Sequence, residues 1–335
     1  MSTLAIIGAG SWGTALAIVL SPRFPTVRLC VYERDLAARM CASRENDVYL
    51  PGFLLPANVE VGSDLPAAVE GAGIVLGVMP SHHARGVYQR MAPLLDESML
   101  LVSATKGLEL GSLLRISEVM REVIGTSFEP KISVLSGPTF AKEVARGEPT
   151  ALVVASTDGE AAAQVQSAFS GSSFRLYTNS DPIGVEIGAA VKNVVAIGAG
   201  VCHGLGLGSN ATAALITRGL AEITRLALAV GGEGRTLAGL AGLGDLVLTC
   251  NGALSRNRTV GMELAAGRKL DEIVGSMRMV AEGIETTKAT VELARRHAVE
   301  MPIAEQMYAM LYEARPPREA IRQLMERTLK GEWHS

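Results

Sequence analysis

Three charged residues stand where charge is expensive. Lys192 lies in Ile187-Gly188-Ala189-Ala190-Val191-Lys192-Asn193-Val194-Val195-Ala196-Ile197, which would be apolar nearly all round a helix. An ammonium buried there costs free energy unless it is paired or at work. Burial also lowers a lysine's pKa, which suits a general base near neutral pH. The plainer alternative is a lysine snorkelling at a domain edge. Asp245 is a single carboxylate in Gly242-Leu243-Gly244-Asp245-Leu246-Val247-Leu248. The Lys192 ammonium is its natural partner, and its place after a glycine also suits a helix N-cap. Lys106 follows a strand-like run in Ser103-Ala104-Thr105-Lys106-Gly107. A cation at a strand's carboxyl end can meet a phosphate or a developing oxyanion. Ser255-Arg256-Asn257-Arg258 gathers hydroxyl, guanidinium and amide donors, and an arginine fork matches phosphate oxygens. A solvated loop is the competing reading. Gly137 and Thr139 add a backbone N–H and a hydroxyl at a strand-to-turn junction, and Glu282 stands alone before Gly283 as a ribose or amide contact.

The N-terminus carries a second kind of chemistry. Leu4-Ala5-Ile6-Ile7 reads as a strand, Gly8-Ala9-Gly10-Ser11-Trp12-Gly13 as G-x-G-x-x-G, and Thr14 to Leu20 as a helix start. Between a strand and a helix this motif has a mechanism. Gly8 allows the tight turn, Gly10 lets the backbone approach a pyrophosphate, and Gly13 lets helix and strand pack closely. Free N–H groups at the helix start, aided by the helix dipole, face the phosphates. The motif therefore implies a bound dinucleotide. Glu33 lies 20 residues past Gly13, where an acid accepts from the adenosine ribose and favours NAD. Arg34 next to it can stack on adenine or hold a 2′-phosphate, which favours NADP. The two cues conflict, and the choice stays open.

The elements that must position these groups divide in two. Strands are expected at Leu4–Ile7, Val27–Tyr32, Ile74–Met79, Met99–Ser103, Ile132–Leu135 and Ala151–Ala155, with helical stretches between several of them. Short continuous apolar runs suit strands buried on both faces. The pattern predicts an α/β, Rossmann-type, doubly wound and mostly parallel sheet. The character changes at Asp181-Pro182, a good N-cap followed by a good first helical residue. Beyond it, helices are expected over Ile183–Val201, Ala211–Val230 and onward to about Lys330, with no convincing strand. The reading is a dinucleotide-binding domain over 1–180 and an all-α substrate and catalytic domain over 181–335, with the site in the cleft between them.

Bulk composition narrows the partners. A net charge of -3 gives no reason to expect nucleic acid or an anionic membrane surface. No run of 18 apolar residues predicts a membrane span, and a first strand at Leu4 leaves no room for a signal peptide. The four cysteines lack C-x-x-C spacing and the five histidines lack ligand spacing, so reduced thiols and no metal site are expected.

Taken together, the segments resemble the bacterial NAD(P)-dependent sn-glycerol-3-phosphate dehydrogenases. The likeness runs in family order through Ile7–Ala17, Ala104–Glu109, Ser136–Glu143, Val191–Val194, Leu215–Glu222, Gly239–Cys250, Ser255–Arg258 and Met301–Ile303. The resemblance implies that Lys192 is the proton acceptor and that Lys106, Gly137, Thr139, Asp245, Ser255, Arg256 and Asn257 contact glycerol phosphate. It implies that Ser11, Trp12, Lys106, Ala141, Arg256, Val280 and Glu282 lie near NAD or NADP. It further implies reversible interconversion of sn-glycerol 3-phosphate and dihydroxyacetone phosphate in the cytoplasm, feeding phospholipid synthesis, and it is compatible with a homodimer. Tyr32-Glu33-Arg34 departs from the family's usual basic or histidine-containing arrangement. Two other readings compete. A 3-hydroxyacid or 6-phosphogluconate-type dehydrogenase would take a substrate carboxylate. A non-catalytic dinucleotide sensor would leave Lys192, Asp245 and Arg256 without a task.

Overall fold

The computed structural model describes residues 3–277, 281–329 and 331–332. Ten strands occur among them: β1 Thr3–Ile7, β2 Val27–Cys30, β3 Glu45–Asn46, β4 Leu50–Leu54, β5 Val59–Gly62, β6 Ala72–Gly77, β7 Leu100–Ser103, β8 Lys131–Ser136, β9 Thr150–Ala155 and β10 Phe174–Asn179. Eight form one sheet in the order β10-β9-β8-β7-β6-β1-β2-β5, while β3 and β4 make a small separate hairpin. Every pair in the large sheet is parallel except β8 with β9. The chain builds outward from β1 through β2 to β5, then returns to the other side of β1 at β6. That reversal is the crevice where such sheets bind ligands.

The doubly wound expectation holds, with corrections at its margins. β2 stops at Cys30 rather than Tyr32, whose side chain is 84% exposed, and β6 stops at Gly77 rather than Met79. Four strands lie outside those expected, β3 and β4 of the small hairpin and β5 and β10 of the large sheet. β5 (VEVG) and β10 (FRLYTN) are the sheet's edges and alternate buried with exposed residues. A search for continuous apolar runs finds strands covered on both faces and passes over edges.

Past Asn179 every regular element among the described residues is helical. Asp181 caps the central helix Pro182–Gly204 as expected. Its Oδ1 accepts from the Gly184 N–H at 2.8 Å, and its Oδ2 accepts from the Glu233 N–H at 2.8 Å. All residues from Gly184 to Cys202 are buried. This helix is long and apolar enough to cross a membrane by length and composition, but its apolar window is wholly buried inside the fold. It is the axis of the helical half, whose apolar core forms around it.

The helix Arg256–Ala265 crosses this axis backbone to backbone. A Cβ on Gly200 would lie 2.0 Å from the Arg258 carbonyl oxygen, and one on Gly261 would lie 1.9 Å from that of Ile197. Only glycine on both sides permits such an approach, and it brings the N-terminus of the second helix towards Lys192. Overpacking of this kind typically costs about 1–3 kcal/mol. Gly261→Ala is therefore expected to lower the unfolding midpoint by several degrees in a thermal or denaturant titration. An exposed control such as Gly275→Ala, which has open space for a Cβ, should not.

Candidate active site

The phosphate cradle is built by β1 and the helix Ser11–Leu20. Gly8 has φ +113°, and a Cβ there would lie 2.2 Å from the Val78 carbonyl oxygen. A Cβ on Gly13 would lie 1.9 Å from the Gly8 carbonyl oxygen. Gly10 faces open space, and no side chain caps the helix. The Trp12 indole N–H is buried with no partner among the described residues. An open backbone edge at an uncapped helix start, with a spare donor beside it, fits a dinucleotide pyrophosphate.

The charged centre gathers residues from both halves. Asp245 is 1% exposed and divides its carboxylate between two lysines. Oδ1 accepts from Lys192 Nζ at 2.5 Å, and Oδ2 accepts from Lys106 Nζ at 3.1 Å. Lys192 also donates to Thr249 Oγ1 at 2.9 Å, and that hydroxyl donates to the Asp245 carbonyl oxygen at 2.6 Å. Desolvation is the largest influence on Lys192. It lowers the pKa from 10.5 to about 8, against the pull of Asp245 and with help from the Lys106 charge. The N-cap reading of Asp245 gives way. Gly244 holds the cap position after a single π-helical turn, Leu240–Gly244, and Asp245 is the first residue of the helix Asp245–Asn251. π-Helical turns occur often at functional sites, and this one delivers the carboxylate to the lysines.

Around this centre stand the remaining candidates. Ser255 is buried and caps the helix Arg256–Ala265, its Oγ accepting from the Arg258 N–H at 3.3 Å. Arg256 is half-buried at the first helical position. Each end of the Asn257 amide makes one hydrogen bond inside the protein. Nδ2 donates to Asn193 Oδ1 at 3.0 Å, and Oδ1 accepts from the Gly283 N–H at 2.9 Å. Gly137 follows β8 with φ +153°, where a Cβ would lie 2.7 Å from that of Leu152. Pro138 approaches Gly244, and Thr139 donates to the Gly137 carbonyl oxygen at 3.1 Å. Ala141 opens the short helix Ala141–Ala145. Burial pushes the Glu282 carboxyl up, while Arg256, Lys106, Lys192 and His82, in that order, pull it back. Glu282 thus faces the cationic centre. Val280 lies outside the described residues.

Comparison with known proteins places this geometry. The family models for the N-terminus and C-terminus of NAD-dependent glycerol-3-phosphate dehydrogenase match residues 3–162 and 181–322. The chain belongs to the NAD-dependent glycerol-3-phosphate dehydrogenase family. A glycerol-3-phosphate dehydrogenase [NAD(P)+] of Koribacter versatilis is 57% identical over 329 residues, covering 98% of each chain. The crystal structure of glycerol-3-phosphate dehydrogenase from Coxiella burnetii superposes with a TM-score of 0.92 at 42% identity, over 97% of this chain and 99% of that one. The enzyme from Saccharomyces cerevisiae gives a TM-score of 0.82 at 28% identity, over 97% of this chain and 99% of that one.

Within this family member, four residues near the site went unread in the sequence. Thr249 looks like an ordinary helical threonine until Lys192 is placed against it. Asn193 accepts from Asn257 and has its own Nδ2 buried without a partner among the described residues. Asn46 is fully buried below the cradle, donating to the Ala9 carbonyl oxygen and to Thr14 Oγ1, each at 2.8 Å. Tyr49 donates its phenol to Glu33 Oε1 at 2.7 Å. Glu33 and Arg34 are both exposed at the start of the helix Arg34–Ser43. The bond to Glu33 is the main reason the Tyr49 phenol is pushed up to about 12. Glu33→Gln should return that phenol towards its ordinary ~10. A tyrosinate absorbance titration, with Tyr49→Phe as reference, should show one tyrosine ionising at lower pH in the variant.

Proposed function

We infer that this protein is an NAD(P)-dependent sn-glycerol-3-phosphate dehydrogenase, interconverting dihydroxyacetone phosphate and sn-glycerol 3-phosphate and supplying the latter for phospholipid synthesis. The observation that carries the assignment of roles is one buried carboxylate, Asp245, shared by Lys192 and Lys106. The reading divides the chain into a dinucleotide-binding domain over 1–180 and a substrate and catalytic domain over 181–335. Gly8, Gly10, Ser11, Trp12 and Gly13 cradle the pyrophosphate, Glu33 and Arg34 lie at the ribose end, and Ala141, Arg256 and Glu282 border the nicotinamide side. Lys106, Gly137, Thr139, Ser255, Arg256 and Asn257 surround the phosphorylated substrate. Asn257 uses one of its two Nδ2 N–H groups on Asn193 and has the other to offer that substrate. The reaction belongs to the cytoplasm, since charged substrate and cofactor do not cross a membrane unaided. A homodimer remains compatible with the reading.

Bound nicotinamide supplies the hydride acceptor or donor. In the oxidising direction neutral Lys192 takes the C2 hydroxyl proton as the C2 hydride leaves, and the alcohol becomes the ketone. In the reducing direction the Lys192 ammonium returns that proton to the oxygen. Lys106, an ammonium anchored on Asp245, polarises the same oxygen, so developing negative charge meets a fixed cation. With its pKa lowered to about 8 by burial, Lys192 offers far more neutral amine near neutral pH than an ordinary lysine does. Asp245 limits this depression, because its charge favours the ammonium and keeps a protonated form available for the reducing direction.

The direct test is loss of reduced-nicotinamide absorbance with dihydroxyacetone phosphate, run separately with NADH and NADPH. Turnover is expected, and unphosphorylated dihydroxyacetone should be a poor substrate. A 3-hydroxyacid dehydrogenase would ignore dihydroxyacetone phosphate, and a sensor would bind cofactor without turnover. Lys192→Ala should cut turnover roughly 10²–10⁴-fold with cofactor binding near normal. In the parent, oxidation should rise with pH through about 8, as Lys192 loses its proton. Near-parental turnover in the variant would end the assignment of Lys192. Arg256→Lys keeps the charge but loses the fork, so it should raise KM for dihydroxyacetone phosphate. An unchanged KM would move the clamp elsewhere, with Arg258 next in line.

A further inference from the structure

Glu186 is a buried carboxylate that the reaction as described does not use. It sits in the second turn of the central helix, 4% exposed, and reaches across to the sheet-bearing half. Oε1 accepts from the Ser117 backbone N–H at 2.8 Å. Oε2 accepts from Arg115 Nη1 at 2.7 Å and from the Ser117 hydroxyl at 2.5 Å. Arg115 is itself steadied by Glu118 Oε1 at 2.8 Å. Three hydrogen bonds converge on this carboxylate, and burial still pushes its pKa up against them, so its placement depends on keeping those partners.

What the joint grips on each side matters more than its strength. On one side is the helix that carries Lys192, six residues further on and about 9 Å along the axis. On the other is the root of the loop that carries Lys106. Arg115 forms an isolated antiparallel bridge with Leu108, two residues past Lys106. The Glu109 N–H donates to the Leu114 carbonyl oxygen at 2.9 Å, closing the loop between them. Arg85 grips Glu109 from outside through two hydrogen bonds of 2.9 and 2.8 Å. The loop is therefore a closed unit, and Glu186 ties it to the central helix.

We propose that Glu186 is a positioning residue that, through Arg115 and Ser117, sets the separation of Lys106 from Lys192 across Asp245. Lys192, Asp245 and Thr249 all belong to the helical half and hold one another. Lys106 alone arrives from the other half, so loosening the joint displaces Lys106. The proposal rests on the reading of Lys192 as the group that exchanges the proton.

The titratable groups that act on Lys192 or feel its charge are Asp245, Lys106, Cys250 and Glu282, and Arg256 acts on Glu282. Of these, Lys106 disfavours the Lys192 ammonium, and the closed site disfavours it further by excluding water. A retreating Lys106 removes one influence and admits water against the other. Both changes raise the pH at which Lys192 loses its proton.

The test uses the full-length enzyme as parent, Glu186→Gln, Ser117→Ala and Lys192→Ala. The measurements are kcat, KM for each substrate, the pH midpoint of glycerol 3-phosphate oxidation, and the thermal midpoint. Displacement of a reacting group by about 1 Å can cost on the order of 10²-fold. Glu186→Gln is accordingly expected to lower kcat roughly 10–100-fold, leave the KM for reduced cofactor unchanged and move the pH midpoint upward. Ser117→Ala, which removes one of the three bonds, should move kcat and the midpoint the same way by less, and it decides the matter if Glu186→Gln does not fold. Parental kcat and pH midpoint in the folded variants, with or without a fall in thermal midpoint, would overturn the positioning role while leaving the Lys192 reading intact. Parental turnover in Lys192→Ala would overturn that underlying reading and the proposal with it.

Discussion

The site depends on one electrostatic constraint, the burial of two ammonium groups against a single carboxylate. Lys192 and Asp245 are almost wholly inaccessible and Lys106 is mostly so. Removing such charges from water costs several kcal/mol per ion, and mutual attraction repays this only with close geometry and further hydrogen bonds. The short contacts to both Asp245 oxygens and to Thr249 meet that requirement. Formal charges leave the trio at net +1, because two cations share one anion. A centre left short of negative charge in a poorly solvated cleft is suited to an anionic substrate and a developing alkoxide. Glu282, facing the same cations from the edge, moderates that surplus.

Charge held so tightly demands a stiff frame. The central helix supplies it because small residues let neighbours approach to backbone distance at Gly200 and Gly261. The same helix carries the cap at Asp181, the joint at Glu186 and the lysine at 192, so one rigid element transmits position from its capped start to the reacting group. The sheet-bearing half contributes its part through loops at strand ends. The Met79 N–H donates to Thr105 Oγ1 at 3.2 Å, joining the loops that follow β6 and β7 on the crevice side. The cradle at Gly8 is packed against Val78 in the same region. Cofactor cradle and Lys106 thus share one braced rim, set against the helical half by Asp245 and Glu186.

Much of this was legible in the sequence because much of it is local. A strand, a tight turn and a helix start are set by neighbouring residues, so the roles of Gly8, Gly10 and Gly13 follow from their spacing, matched by the close contacts a Cβ would make at Gly8 and Gly13 and by the open space at Gly10. The cap at Asp181 and the change to helices beyond it are legible for the same reason. Lys192 announced itself through an energetic mismatch, a charge in an apolar helix, which needs no knowledge of the fold. The long-range likeness of segments in family order carried the identity of the reaction.

The tertiary structure decided what sequence distance conceals. Lys106 and Asp245 are 139 residues apart. No periodicity relates them, because their meeting is produced by the packing of two halves rather than by any repeat along the chain. Lys192 and Asp245, 53 residues apart within the helical half, pair as their opposite charges imply. Asn257 has a further task that its type and position do not announce, since its amide ties Asn193 to the Gly283 N–H. Tyr49, Asn46 and Glu186 gave no signal, since an aromatic, an amide or an acid acquires its role only from the partner across the fold. The edge strands β5 and β10 escaped notice because their second face meets water. The sequence by itself determined the local geometry and the kind of chemistry available. Only the tertiary structure decided that Lys106 joins Lys192 on one carboxylate, because pairing energy depends on distance and burial, and neither is written in the order of residues.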